Sequence, residues 1–146
     1  QLLQQLQAVP NIVYKGGFPN PSELMREQYR CFLYTSLWDG LPNILLEMLW
    51  AGMLVIAPDI GGIRAAPGPE HCRIVDDAAS VDAYVEALQW VIAHPLDAEQ
   101  LRLRGQAYVK ERHTSENFEG VLEGSQYFPA LAATRVPAHD MEMDKQ

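Results

Sequence analysis

The sequence predicts an α/β layered domain with a mostly parallel sheet and helices on both faces. Three observations carry that reading. Short β-branched apolar runs alternate with longer stretches of helical periodicity. The runs are apolar almost throughout, as in strands covered on both faces, rather than at every second position. The segments that follow them are rich in Gly, Pro and small polar residues, the composition of connecting loops.

Taken in order, Gln1 to Gln7 is polar and helix-friendly, with Leu2, Leu3 and Leu6 on one face. Asn11 to Tyr14 is a β-branched run that ends at Lys15-Gly16-Gly17, which predicts a strand entering a tight loop. Pro21 and Ser22 open a helix with Leu24, Met25 and Tyr29 as apolar positions. Cys31 to Thr35 is a second strand, Ser36 to Pro42 a loop, and Asn43 to Ala51 a helix ended by Gly52. Leu54 to Ala57 is the third strand, Pro58 to Gly68 its loop, and Cys72 to Val75 a short fourth strand. Ser80 caps a helix through Ala93, with Val81, Tyr84, Val85, Leu88 and Val91 at helical spacing, and His94-Pro95 stops it. Helices follow at Asp97 to Arg112 and Glu116 to Phe128. Residues 1–131 thus read as one domain, and the polar, irregular composition of 132–146 predicts a disordered tail.

A chain of 146 residues, 48 % hydrophobic and 21 % charged, has an ordinary globular composition and room for one core. Its net charge of −8, with 11 basic residues spread along the chain, argues against a nucleic-acid partner. Cys31 and Cys72 sit in apolar stretches and read as reduced thiols, and no Cys/His spacing suggests a metal site. No apolar run approaches the ~18 residues of a membrane span. The start at Gln1, with no leader segment, predicts an internal piece of a longer cytoplasmic protein, membrane-peripheral at most when intact.

Ligands of parallel α/β sheets bind beyond the carboxyl ends of the strands. Here those ends are the loops Lys15 to Pro19, Ser36 to Pro42 and Pro58 to Gly68. The segment Ser36-Leu-Trp-Asp-Gly-Leu-Pro-Asn43 runs straight into a helix N-terminus, whose unpaired N–H groups and dipole suit phosphate. Gly40 lets backbone come close to a ligand. Asp39 lies in the loop and Glu47 early in the helix; carboxylates there match sugar or ribose hydroxyls rather than phosphate. A Glu near a helix start is equally a favourable partner of the dipole. Gly61 and Gly62, in Pro58-Asp-Ile-Gly-Gly-Ile-Arg64, form either an anion-binding nest or a plain turn. Trp38 is either a wall for a sugar ring or a loop anchor, whereas Trp50 and Trp90 read as core. The Asp76-Asp77 pair reads as solvated, and His71, His94 and His113 have no acidic or Cys partner at ligand spacing.

Together these residues carry a resemblance. The stretch from Cys31 to Arg64, CFLYTSLWDGLPNILLEMLWAGMLVIAPDIGGIR, is similar to the signature of group 1 retaining glycosyltransferases of the GT-B fold. A strand ends in small hydroxyl residues; an acidic residue, Gly, an apolar residue and Pro follow. A second acidic residue comes eight positions after the first, then a small-residue helix end, a Leu-Val-Ile-Ala strand and a Gly-Gly loop. The flanking pattern continues the likeness more loosely from Asn11 to Phe128.

The resemblance implies a Rossmann-like parallel sheet, the C-terminal domain of a GT-B fold without its first strands. It implies transfer of a hexose from a nucleoside diphosphate sugar to a hydroxyl acceptor with retention, and no metal or other cofactor. It gives sugar contacts to Asp39, Gly40, Leu41, Gly61 and Gly62, and nucleotide contacts to Glu47, Asn43, Gly16 and Gly17. No general acid or base is assignable. Two departures stand out: the first acidic residue is Asp39 where the family usually has Glu, and Ala65 stands where a Glu usually follows the Gly-Gly pair. The Arg and Lys that neutralise the diphosphate, and the acceptor domain, would precede Gln1. The chain alone is therefore expected to have little or no transferase activity, and to pair through exposed sheet edges or with an upstream segment. Two other readings stay open: a nucleotide-sugar-binding or scaffold module without chemistry, and a sugar-nucleotide epimerase of similar fold.

Overall fold

The computed structural model describes residues 2–17 and 29–117. Their elements run α1 (Leu2–Gln7), β1 (Phe32–Leu33), α2 (Asn43–Trp50), β2 (Val55–Pro58), β3 (Arg73–Val75), α3 (Val81–Ala93) and α4 (Pro95–Arg112). The strands form one parallel sheet in the order β1-β2-β3, with Phe32 opposite Val55 and Ile56 opposite Arg73. This is the α/β arrangement that the alternation of strands and helices predicts, and it is Rossmann-like as the resemblance implies.

The central strand explains its own sequence. Every residue of β2 is buried. Val55 and Ala57 join Leu45, Met48, Leu49, Cys72 and Val109 in one apolar cluster, while Leu54 and Ile56 join Val75, Tyr84, Val91 and Leu101 in another. Successive strand side chains point to opposite faces, so a strand with an apolar layer on each side has no position for a polar residue. Each fully buried Leu or Met contributes about 1.5–3 kcal/mol.

Helix ends follow local chemistry. Gly52, at φ +82°, closes α2, with Met53 N–H donating to the Met48 carbonyl and Gly52 N–H to the Leu49 carbonyl, each at 2.9 Å. Side chains of α4 satisfy the same end: Arg102 Nη1 donates to the Gly52 carbonyl and Gln106 Nε2 to the Trp50 carbonyl, both at 3.0 Å. The Ser80 hydroxyl accepts from Ala83 N–H at 3.2 Å and starts α3 as expected. His94 ends α3, and α4 opens on Pro95 rather than Asp97, because a proline at the first helical position forfeits no hydrogen bond.

Four further expectations need correction. Asn11 to Tyr14 is not a strand: the segment is irregular, with Val13 and Tyr14 exposed. A β-branched run becomes a strand only beside a partner, and the described sheet ends at β1. The strand at Cys31 to Thr35 is regular only over Phe32–Leu33, although Phe32 and Tyr34 N–H groups donate to the Leu54 and Ile56 carbonyls. Trp50 is 48 % exposed, because α2 buries Leu45, Met48 and Leu49 on its other side. The buried face of α3 is Tyr84, Ala87 and Val91, which leaves Val81 and Val85 in solvent.

Both cysteines are free, as expected, and burial pushes the Cys72 thiol up to about 12. No helix among the described residues is long and apolar enough to cross a membrane. The helix expected from Pro21, most of that from Glu116, and the tail over 132–146 lie outside the described residues.

Candidate functional site

The two Gly-containing loops meet. The Gly62 N–H donates to the Gly40 carbonyl at 2.8 Å. Gly61 approaches still more closely: a Cβ there would lie 2.0 Å from the Asp39 carbonyl oxygen and 2.5 Å from that of Gly40. Its φ of +51° adds a second reason for glycine. Parallel pairing of β1 with β2 sets the carboxyl ends of both strands side by side, so the loops leaving them are neighbours. Asp39, Gly40, Leu41, Gly61 and Gly62 are thereby brought into one group.

The Asp39 carboxylate is held from two sides. Its Oδ1 accepts the Gly40 N–H at 2.7 Å, and its Oδ2 accepts the Tyr34 hydroxyl. Burial, together with that hydrogen bond, pushes the Tyr34 phenol above its ordinary value, so it is a donor at neutral pH. The Ser36 hydroxyl, which donates to the Trp38 carbonyl at 2.8 Å, braces the same turn. Trp38 itself is 87 % exposed and anchors nothing in the loop.

From this group the chain passes into α2. Pro42, in extended backbone, stands before the helix, and no side chain caps it. The first N–H groups of a helix have no intrahelical partner, so an uncapped start beside the loop junction suits an anionic ligand. Asn43 opens the helix and Glu47 follows on the exposed side, away from Leu45, Met48 and Leu49. The contacts that join the loops stop at Leu41; Asn43 and Glu47 reach the junction only through the helix that carries them. Gly16 and Gly17 lie in irregular backbone, where an added Cβ would meet nothing within 4 Å. Their segment is tied to Tyr29, over whose ring Lys15 sits with its Nζ 5.8 Å from the centroid.

The Gly-Gly loop ends in a cation that the protein uses internally. Arg64 donates from Nε to Asp59 at 2.5 Å and from Nη2 to Asp76. These partners, Asp59 first, hold its guanidinium above its ordinary value. One expectation changes here, since Asp76 is an ion-pair partner as well as a solvated residue. Among the described residues no group of three or more His, Cys, Asp or Glu could hold a metal ion.

With this geometry in place, the comparison with known families is decisive. Residues 1–110 match the family model for glycosyl transferases group 1. The chain belongs to the group 1 glycosyltransferase family. An uncharacterized glycosyltransferase of Methanocaldococcus jannaschii is 34 % identical over 59 residues, which is 40 % of this chain. The matched stretch spans 14 % of that protein's length, so the relative is similar to this group 1 chain over a small part of itself. Sequence reading did not find Tyr34. In this group 1 chain it lies within a run that reads as plain strand, and its hydrogen bond to Asp39 exists only once the following loop folds back.

Proposed function

We propose that this chain is the donor-binding part of a glycosyltransferase that moves a hexose from a nucleoside diphosphate sugar to a hydroxyl acceptor, with retention at the anomeric carbon. The observation that carries the reading is the junction of the Asp39-Gly40 and Gly61-Gly62 loops beside the uncapped start of α2. In this reading Asp39 accepts hydrogen bonds from sugar hydroxyls, with its carboxylate aimed by Tyr34 and by the Gly40 N–H. Leu41 and Asn43 present backbone N–H groups toward the diphosphate, where a helix N-terminus offsets charge on the leaving group. Gly61 and Gly62 close the sugar side. Glu47 accepts from the ribose hydroxyls, and Gly16 and Gly17 lie toward the base. Metal plays no part.

Calorimetric titration with UDP and GDP tests it. One of the two should bind, and Glu47→Ala should weaken that binding by about tenfold or more, the loss of charge-assisted hydrogen bonds to ribose. The same affinity in both proteins, or no heat from either nucleotide at millimolar concentration, would sink the assignment.

One observation favours a binding module without chemistry. Arg64, two residues after the Gly-Gly pair, has its charge engaged by Asp59 and Asp76. Donor hydrolysis by the intact protein, lost on Glu47→Ala, would decide for the enzyme. The same reading includes an acceptor-binding domain outside this chain and pairing through the outer edge of β1, a short strand whose Leu33 is 37 % exposed. Light scattering checks the pairing: a dimer is expected, and a clean monomer at high concentration would refute it.

A further inference from the structure

Away from the loop junction, a cleft of about 440 Å³ opens beside β3, against α3 and the first half of α4. Its walls carry Arg64, Arg73 and Arg104 together with Asp76, Asp97 and Trp90. Arg64 is neutralised by Asp59 and Asp76, but Arg73 and Arg104 have no carboxylate at ion-pair distance among the described residues, which is notable in a chain of net charge −8. Its size is that of a small-molecule site.

The arginines are held in place by the protein. Arg104 donates its Nε to the Glu70 carbonyl at 3.0 Å, and Arg64 is fixed by Asp59 and Asp76. Arg73 lies over the Trp90 ring, 4.8 Å from its centroid, and its Nε is buried without a hydrogen-bond partner. That nitrogen is sealed from solvent, so an anion in the cleft would meet the terminal guanidinium nitrogens of Arg73. His94 also stacks on Trp90, with centroids 5.4 Å apart, so the indole is already engaged and recognition falls to the guanidinium groups. Guanidinium groups match phosphate oxygens in geometry and in charge.

We propose that this cleft binds a phosphate group, free or carried on a small organic ester, between Arg73 and Arg104. The site uses neither Asp39 nor Glu47 and stands independently of the donor reading. Asp76 does not oppose it strongly, because its charge is already paired with Arg64. Asp97, in the first turn of α4, is the carboxylate that limits affinity.

Calorimetry on the full chain with inorganic phosphate and with phenyl phosphate provides the test. Saturable binding is expected, weakened about tenfold by Arg104→Gln through loss of one charge-assisted hydrogen bond. Asp97→Asn should strengthen it severalfold by removing a negative charge from the wall. Tighter binding of phenyl phosphate would identify an organic ester as the occupant, and tighter binding of inorganic phosphate the free ion. A parallel titration with the nucleotide that binds wild type should give the same affinity for Arg104→Gln; loss of both affinities together would overturn a separate site. So would failure of both probes to bind at millimolar concentration, or affinities unmoved by either substitution.

Discussion

Gly105→Ala is expected to destabilise the domain by about 2 kcal/mol and to lower its melting temperature by roughly 5–10 °C. The residue lies mid-way along α4, where alanine would ordinarily be the better helix former by ~1 kcal/mol. Packing reverses the sign. A Cβ at Gly105 would stand 2.4 Å from the His71 carbonyl oxygen and 2.7 Å from Leu49 Cδ2. Leu49 is fully buried in the cluster between α2 and the sheet, so it has little room to retreat. The His71 carbonyl belongs to the chain entering β3, and moving it disturbs the edge of the sheet. Thermal unfolding followed by circular dichroism reads the effect, with Gly17→Ala as control, since a Cβ there meets nothing within 4 Å. A variant as stable as wild type would show that α4 can slide outward without loss.

That pair of contacts also marks the limit of sequence reading. β2 was legible because a fully buried parallel strand imposes an unbroken apolar run, and α3 because Ser80 sets its start by a bond to Ala83 only three residues away. Both signals are local. Gly105 looks like a weak spot in a helix, because the groups that forbid a side chain there belong to Leu49 and His71, far away in sequence. The same limit explains Asn11 to Tyr14, which has strand composition but no described neighbour to pair with, and Trp50, whose apolar spacing says nothing about which side of α2 meets the sheet. Within the site, the motif grouped Asp39 and Gly40 with Gly61 and Gly62, and the structure joins them by a hydrogen bond between the loops. Tyr34 remained hidden. Its role depends on the loop folding back over the end of β1, which no spacing rule encodes.

The second large effect falls on that junction. Gly61→Ala is expected to weaken binding of the nucleotide sugar by about tenfold or more, through loss of the sugar contacts proposed for Asp39, while leaving the domain folded. The backbone at φ +51° disfavours a side chain by about 1–2 kcal/mol. The new Cβ would also fall 2.0 Å from the Asp39 carbonyl oxygen, so the loops must part. Parting them breaks the bond from Gly62 N–H to the Gly40 carbonyl and rotates the turn that aims the Asp39 carboxylate. Both loops lie at the carboxyl ends of the strands, and of the second loop only Ile63, with Ile60 packed against its cluster, enters the core, so most of the displacement is absorbed at the surface. Gly40→Ala supplies the comparison. A Cβ at Gly40 meets nothing within 4 Å, so any loss of binding in that variant comes from a side chain intruding on the ligand rather than from a displaced loop. Calorimetry beside thermal melts separates the two, because Gly61→Ala should lose binding with a modest fall in melting temperature, and Gly40→Ala should lose binding with none. Undiminished nucleotide-sugar affinity in Gly61→Ala would mean that the contact between the loops is a packing detail, and that the sugar is held elsewhere.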